Sequence, residues 1–352
     1  MAPLTRSRAD EHNVPTLPIV KEYYEQRASV PGTLIITEAT FISPQAGGYD
    51  RVPGIWNPEQ IKAWKEVADA VHAKGSFIFM QLWALGRVAE PDVLKKKGFK
   101  VVSSSPLPIA EGKDPSHALT EGEIQEYIYH YTVAAKNAIE AGFDGVELHG
   151  ANGYLPDQFL QDVINSRTDQ WGGNIENRAR FHLEITKALI GAVGKEKVGV
   201  RLSPFTQFAP GNKRMDDPRP TFTYLIHALK HLDIAFLDLI EPRLGDTGPV
   251  DGIYAGQGGL DFAIEAWGTD KPVLVAGGIT AKKAEEMVER KYKEFQVIPT
   301  FGRFFISTPD LPFRVQKGIE FNPYDRPTFY TEGPKGYIDY PFSEEWKAMT
   351  KF

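Results

Sequence analysis

His149, Asn152 and Tyr154 fall within six residues of one another in a glycine-rich turn, His149-Gly150-Ala151-Asn152-Gly153-Tyr154. An imidazole and a carboxamide three residues apart can aim N–H donors at a single oxygen, which would stabilise an enolate-like oxyanion. A phenol two residues further on can supply a proton. The structural alternative is a capped turn in which His149 bonds the backbone, but the His-x-x-Asn-x-Tyr spacing favours the chemical reading. A second set carries phosphate-binding character. Gly277-Gly278 and Gly302-Arg303 each follow a strand-like run, and they combine backbone N–H groups with a guanidinium. Glycines serving turn geometry alone remain the competing reading for these. Arg201 sits in an apolar run between Val200 and Leu202, so alternation sends it to the opposite face from both. A buried guanidinium needs an anionic partner, which is either a carboxylate side chain or an anionic cofactor ring. Gln81 and Trp83, alternate residues of another such run, are weaker signals, because alternate strand residues are often core.

The elements that must position these residues alternate along the chain. Strands are expected at Thr33–Ile42, Ser76–Leu85, Gly145–His149, Lys197–Ser203, Ile234–Ile240, Pro272–Ala276 and Gln296–Phe301, with the fragment Met1–Thr5 as an eighth. Helices are expected at Pro58–Lys74, Leu119–Ala141 with a Thr120/Glu123 capping box, Ile175–Val193, Thr221–His231, Phe262–Trp267, Thr280–Lys293 and Asp310–Lys317. Strict alternation implies parallel strands and right-handed crossovers. Eight units specify a (β/α)8 TIM barrel, with a doubly wound sheet as the rival, in one domain spanning 1–352. In a barrel the strand ends carry the chemistry, and the candidate residues lie at or near those ends. That set looks poor in carboxylates, and it lacks both a strand-end Lys and a metal-binding cluster.

Composition excludes other classes. With 40 Lys and Arg against 46 Asp and Glu, the net charge is −6 and no basic block exists, which argues against nucleic acid or an anionic membrane as partner. Lys95–Lys97 reads as a solvated loop. The absence of cysteine removes disulfides, thiolate metal sites and a Cys nucleophile. No apolar run approaches membrane-spanning length and the N-terminus has no signal-like core. A cytoplasmic monomer or homodimer acting on a small molecule is expected. A phosphorylated redox cofactor suits the residue set better than hydrolysis does.

Beyond these physical readings, several strings resemble the old yellow enzymes of yeast and filamentous-fungal type. They are Ala2-Pro3-Leu4-Thr5-Arg6, Ile42-Ser43-Pro44-Gln45-Ala46-Gly47-Gly48-Tyr49, His149 through Tyr154, Arg167-Thr168-Asp169, Gly172-Gly173, Gly302-Arg303-Phe304-Phe305 and Gly336-Tyr337-Ile338-Asp339-Tyr340-Pro341. The resemblance runs nearly the whole chain. It implies non-covalent FMN, NADPH as reductant, and reduction of the C=C bond of an α,β-unsaturated carbonyl or nitro compound. By position it implies that Thr5, Ala39 and Gln81 hold the flavin ring and Arg201 faces its N1 edge, while Gly277, Gly278, Gly302 and Arg303 bind the phosphate. His149 and Asn152 would bind the substrate oxygen. Tyr154 would protonate Cα after hydride passes from N5 to Cβ. Tyr49, Trp83, Phe208 and Tyr337 would line the pocket. In the family a lead segment with a hairpin precedes the first of these strings. With Met1 inside the first strand, the barrel floor is expected to be partly open and FMN less firmly retained.

Val30-Pro31-Gly32-Thr33 and Gly142 through Gly150 also resemble the ergot-alkaloid branch of the family, an aldehyde reductase or isomerase, within which Tyr154 favours net reduction. A flavin-independent sugar-phosphate lyase or isomerase is the reading from another class, and a pocket retained without turnover is a third.

Overall fold

In the computed structural model, which describes residues 1–205, 213–242 and 259–350, the expected helices form where their caps begin them. The Asn57 side chain accepts from Gln60 N ahead of Pro58–Ala73, and Thr120 and Glu123 complete the capping box of Glu121–Glu140. Asn174 and Thr280 cap Ile175–Val193 and Ala281–Glu286 in the same way. Each side-chain oxygen satisfies one of the backbone donors that a helix start leaves unpaired. Arg219–His231, Asp261–Trp267 and Leu311–Lys317 complete the expected set. Two details differ. The helix expected over Thr280–Lys293 widens into a π-helical turn at Met287–Lys291, and Lys95 and Lys96 close a short helix, Pro91–Lys96, rather than a loop. The periodicity also left Ile19–Arg27, Leu155–Leu160, Arg303–Ser307 and Glu344–Thr350 unread.

The strands, all parallel, are β1 (Leu34–Ile36), β2 (Thr40–Phe41), β3 (Phe77–Trp83), β4 (Gly145–His149), β5 (Val198–Leu202), β6 (Phe236–Ile240), β7 (Val273–Ala276) and β8 (Val297–Thr300). They form one eight-stranded sheet in the order β1-β3-β4-β5-β6-β7-β8, with β2 also paired to β3. The run Thr33–Ile42 is therefore two strands. Glu38 separates them: its N–H takes the Tyr24 hydroxyl at 2.9 Å instead of a strand neighbour, and its carbonyl takes the Thr40 hydroxyl. Met1–Thr5 is not a strand. Its first residues nevertheless join the sheet edges, because Ile36 N donates to Met1 O (3.1 Å) and Ala2 N donates to Phe301 O (2.8 Å). The ring thus closes through Met1 and Ala2, and Pro3, Leu4 and Thr5 turn over the barrel mouth.

Strand alternation sorts the residues. Val146, Leu148, Val200, Leu202, Leu237, Leu239, Val273 and Val275 face outward and are fully buried beneath the helices. Burying such side chains contributes roughly 1.5–3 kcal/mol each. Ile36, Phe236 and Leu274 face inward and pack with Leu34, Phe79 and Ala235 into a separate apolar layer across the lower barrel. Phe79 and Phe236 meet edge to face at 5.4 Å. Two glycines make room for them: a Cβ on Gly145 would stand 2.3 Å from the Phe79 ring, and one on Gly199 would stand 2.2 Å from the Phe236 ring. Above this layer the barrel interior turns polar, with Gln81, Glu147, Arg201 and Asp238 all buried.

Candidate active site

Above the polar layer lies a cavity of about 770 Å3, within the range that holds a cofactor-sized molecule. Thr5, Ala39, Gln81, Arg201, Gly277, Gly278, Gly302 and Arg303 line it, and so do Tyr49, Trp83, His149, Asn152 and Tyr154. Residues scattered over most of the chain therefore converge as expected. One expected pocket position, Tyr337, does not. Phe208 lies outside the described residues. Tyr337 is fully buried elsewhere, its ring stacked on Tyr23 at 4.1 Å between the guanidinium groups of Arg6 (4.9 Å) and Arg8 (4.5 Å). It holds the C-terminal segment against the barrel instead of lining the pocket. The aromatic side chains that do line this wall are Tyr324, Phe329 and Tyr330. The adjacent pair Phe329-Tyr330, eight and seven residues before Tyr337, was the available signal.

Trp83 is the hub of the upper site. It stacks on Phe41 at 5.1 Å and lies 6.1 Å from the His149 ring at 23°, while Tyr154 stands edge-on to it at 4.8 Å. Tyr154 and His149 also meet edge to face at 4.8 Å. The expected donor turn is therefore a packed aromatic cluster with its polar ends converging. His149 is buried. Burial first, and the nearby Arg201 charge second, hold its pKa well below the usual imidazole range, so it is neutral. Its Nδ1 and Asn152 Oδ1 are buried without hydrogen-bond partners among the described residues.

A second network fixes Asn152. Its φ of +58° is left-handed, a region costly for a non-glycine residue unless neighbours hold it there. Asn152 N donates to Ser203 Oγ at 2.7 Å, and Gly153 N donates to Asp157 Oδ2 at 2.6 Å. Arg214 donates to Ser203 Oγ (2.9 Å) and forms a buried ion pair with Asp157 (2.7 Å), which also accepts from Gln161.

At the cavity floor Arg201 Nε lies 3.2 Å from Asp238 Oδ2, an ion pair whose angle is too poor for a hydrogen bond. Arg201 therefore has the carboxylate partner foreseen as one alternative, and it still reaches the cavity. The expectation of few carboxylates is corrected here. Glu147 and Asp238 both enter the barrel interior, betrayed in sequence by single charges alternating with apolar residues in Gly145–His149 and Phe236–Ile240. Gln81 also serves below the cavity, donating to Glu147 Oε1 at 2.7 Å. At the opposite end Gly277 and Gly278 have φ of +127° and +64°, conformations that glycine adopts without penalty. Arg303 lies over the Tyr324 ring at 5.5 Å and opens Arg303–Ser307, a helix nearer the glycine than the expected Asp310–Lys317. Among the described residues no group of carboxylates and imidazoles could hold a metal ion, and no helix is long and apolar enough to cross a membrane.

The chain belongs to the NADH:flavin oxidoreductase / NADH oxidase family, whose model matches residues 1–322. It is 53% identical over 350 residues to the NADP-dependent oxidoreductase lnbE of Aspergillus flavus, covering 98% of this chain and 92% of that one. It is 52% identical to the chanoclavine-I aldehyde reductase fgaOx3 of Penicillium roqueforti (99% and 93% covered) and 52% identical to the probable inactive reductase easA of Epichloe festucae var. lolii (100% and 93%). Among solved structures, the old yellow enzyme homologue of Zymomonas mobilis superposes with a TM-score of 0.86 at 38% identity, covering 97% and 94% of the two chains.

FMN is the cofactor of this family, and the residues present fit it. The cavity is lined by one guanidinium, Arg201, and by a glycine pair, Gly277-Gly278, together with a second arginine, Arg303. Arg201 Nε is a buried donor without a well-aligned acceptor, as expected of a side chain that also serves an anionic ring.

Proposed function

We propose that this chain is an NADPH-dependent ene-reductase that reduces the C=C bond of α,β-unsaturated carbonyl compounds, unsaturated aldehydes among them. The observation that carries the reading is the packing of His149 and Tyr154 on Trp83, with Asn152 lining the same cavity that Arg201 reaches. Bound FMN supplies hydride chemistry, with NADPH as the source of reducing equivalents.

The protein's own residues account for the rest. Gly277, Gly278, Gly302 and Arg303 hold the phosphate, and Arg201 places positive charge at the pyrimidine edge of the ring. His149 and Asn152 donate to the substrate carbonyl oxygen and draw electron density from Cβ, making it a hydride acceptor. Because His149 is neutral, it polarises that oxygen without surrendering a proton to it. The Tyr154 hydroxyl donates its proton at Cα. Trp83 fixes both rings, and the Ser203–Arg214–Asp157 network fixes the turn that carries Asn152.

A second reading has specific support. Relatives at similar identity are named chanoclavine-I aldehyde reductases, while others are named probable inactive reductases. The retained His149, Asn152 and Tyr154 favour turnover over inactivity. The test is a visible spectrum of the purified protein, repeated after anaerobic NADPH, followed by cyclohexenone or chanoclavine-I aldehyde. Flavin bleaching by NADPH and recovery with either acceptor supports ene reduction, and recovery with the aldehyde alone supports the narrower role. A flavin that bleaches but recovers with neither overturns the proposal.

A further inference from the structure

Beneath the cavity, β4 and β6 each send one carboxyl group into the barrel, where they meet a single guanidinium. Glu147 and Asp238 are both fully buried. Register places Gln81 opposite Glu147, and Arg201 opposite Asp238. Glu147 Oε1 accepts from Gln81 Nε2 at 2.7 Å, whereas Glu147 Oε2 and both Asp238 oxygens have no hydrogen-bond donor among the described residues. The buried amino group of Met1 also acts on Asp238, but burial lowers its pKa to about 5, so it is neutral; two ionised carboxylates against one arginine would then leave a buried surplus charge, an arrangement that costs several kcal/mol. A single proton between the carboxyl groups removes both the surplus and the missing donor.

We propose that Glu147 is held as the neutral acid and donates its Oε2–H to Asp238, so that Glu147, Asp238 and Arg201 form a neutral layer in which Asp238 positions Arg201 and offsets its charge toward FMN. Asp238 keeps the charge because it pairs with Arg201 at 3.2 Å, while Glu147 has no ion pair within that reach and accepts from the neutral Gln81 carboxamide. Burial, and next the Asp238 charge, push the Glu147 carboxyl well above the ordinary range, in keeping with this division. The inference rests on the flavin assignment and concerns this chain's own charges, so it can be read apart from turnover.

The experiment measures the two-electron midpoint potential of FMN in the holoprotein and its variants. In Glu147→Gln the amide reproduces the neutral acid, donating to Asp238 and accepting from Gln81, so the potential is expected to stay unchanged. In the double variant Glu147→Gln/Asp238→Asn no carboxyl group is left to ionise, so the positive potential at Arg201 is no longer offset. The reduced, more negative cofactor is then favoured roughly tenfold, which raises the potential by about 30 mV. A comparable rise in Glu147→Gln, or none in the double variant, overturns the proposal. Should either variant fail to fold, infrared spectra of the unsubstituted protein with 13C-labelled glutamate decide. At pH 9 the labelled sample should keep an isotope-sensitive C=O band of a protonated acid. Glu38, the other buried glutamic acid pushed up, to about 7, is ionised there. Absence of that band overturns the proposal. A protein that carries no flavin spectrum at all would count against the cofactor assignment instead.

Discussion

Asn152 and Arg214 meet on one oxygen: the backbone N–H of the first and the guanidinium of the second both donate to Ser203 Oγ, at 2.7 and 2.9 Å. The left-handed turn that carries Asn152, whose carboxamide is proposed to bind substrate, is thus tied, through a buried hydroxyl, to the segment following β5. Arg214 is in turn anchored by Asp157, and the two side chains are 2% and 1% exposed. Removing either partner of such a pair strands a buried charge at a cost of about 3–5 kcal/mol. Asp157→Asn should lower the melting temperature accordingly, and in the folded fraction the KM for an enone should rise about tenfold, equivalent to about 1.4 kcal/mol. Thermal denaturation and steady-state kinetics check this; an unchanged KM would remove the positioning role.

Tyr154→Phe separates the half-reactions. The ring packing on Trp83 and His149 survives, and only the hydroxyl is lost. Flavin bleaching by NADPH should proceed at the normal rate, while reoxidation by cyclohexenone should slow by roughly 10²–10⁴-fold, the usual worth of a positioned general acid. Stopped-flow absorbance reads both phases. Equal slowing of the two would place Tyr154 in cofactor binding instead.

Glu38 makes stability depend on pH. Burial is the main reason its carboxyl rises from an ordinary 4.5 to about 7, against the N–H of Arg6 and the charges of Arg6 and Arg8, which lower it. An acid whose pKa is raised by folding holds its proton in the native state after the unfolded chain has released it. Its stability contribution is therefore complete below pH 4.5 and is lost as pH climbs to 7, by roughly 3 kcal/mol. Denaturant titrations at pH 5 and pH 8 should show that difference, and Glu38→Gln should flatten it.

Gly277 is predicted to tolerate no side chain. Its φ is +127°, and an added Cβ would stand 2.6 Å from Glu241 Cβ. The strain is on the order of 1–3 kcal/mol, and relieving it moves the turn that grips the phosphate. Gly277→Ala should weaken FMN retention at least tenfold, measured by flavin fluorescence on dilution. Retention equal to the unsubstituted protein would dissociate this turn from the cofactor.

Much of this was legible in the residues, for identifiable reasons. Helices announced themselves where a local start signal preceded an apolar stripe, as with Thr120 and Glu123 ahead of Ile124, because capping is local chemistry. The site residues were legible because strand ends and glycine turns are local too. What escaped depended on the third dimension. Glu147 and Asp238 are far apart in sequence and acquire meaning only when β4 and β6 curl to face one interior. The break at Glu38 depends on Tyr24, from a helix that the periodicity did not reveal. Tyr337 was misplaced because a buried aromatic ring and a pocket aromatic ring look alike in sequence. What separates them is the pair of guanidinium groups from Arg6 and Arg8 that enclose Tyr337.

The two phenylalanines that fill the space left by Gly145 and Gly199 stopper one end of the barrel. A vessel with a single mouth admits its visitors in turn: whatever occupies the space over Arg201 must depart before its successor can enter. Under the proposed function an excess of either reactant should therefore delay the other, and the rhythm of turnover would be set as much by departures as by the chemistry between them.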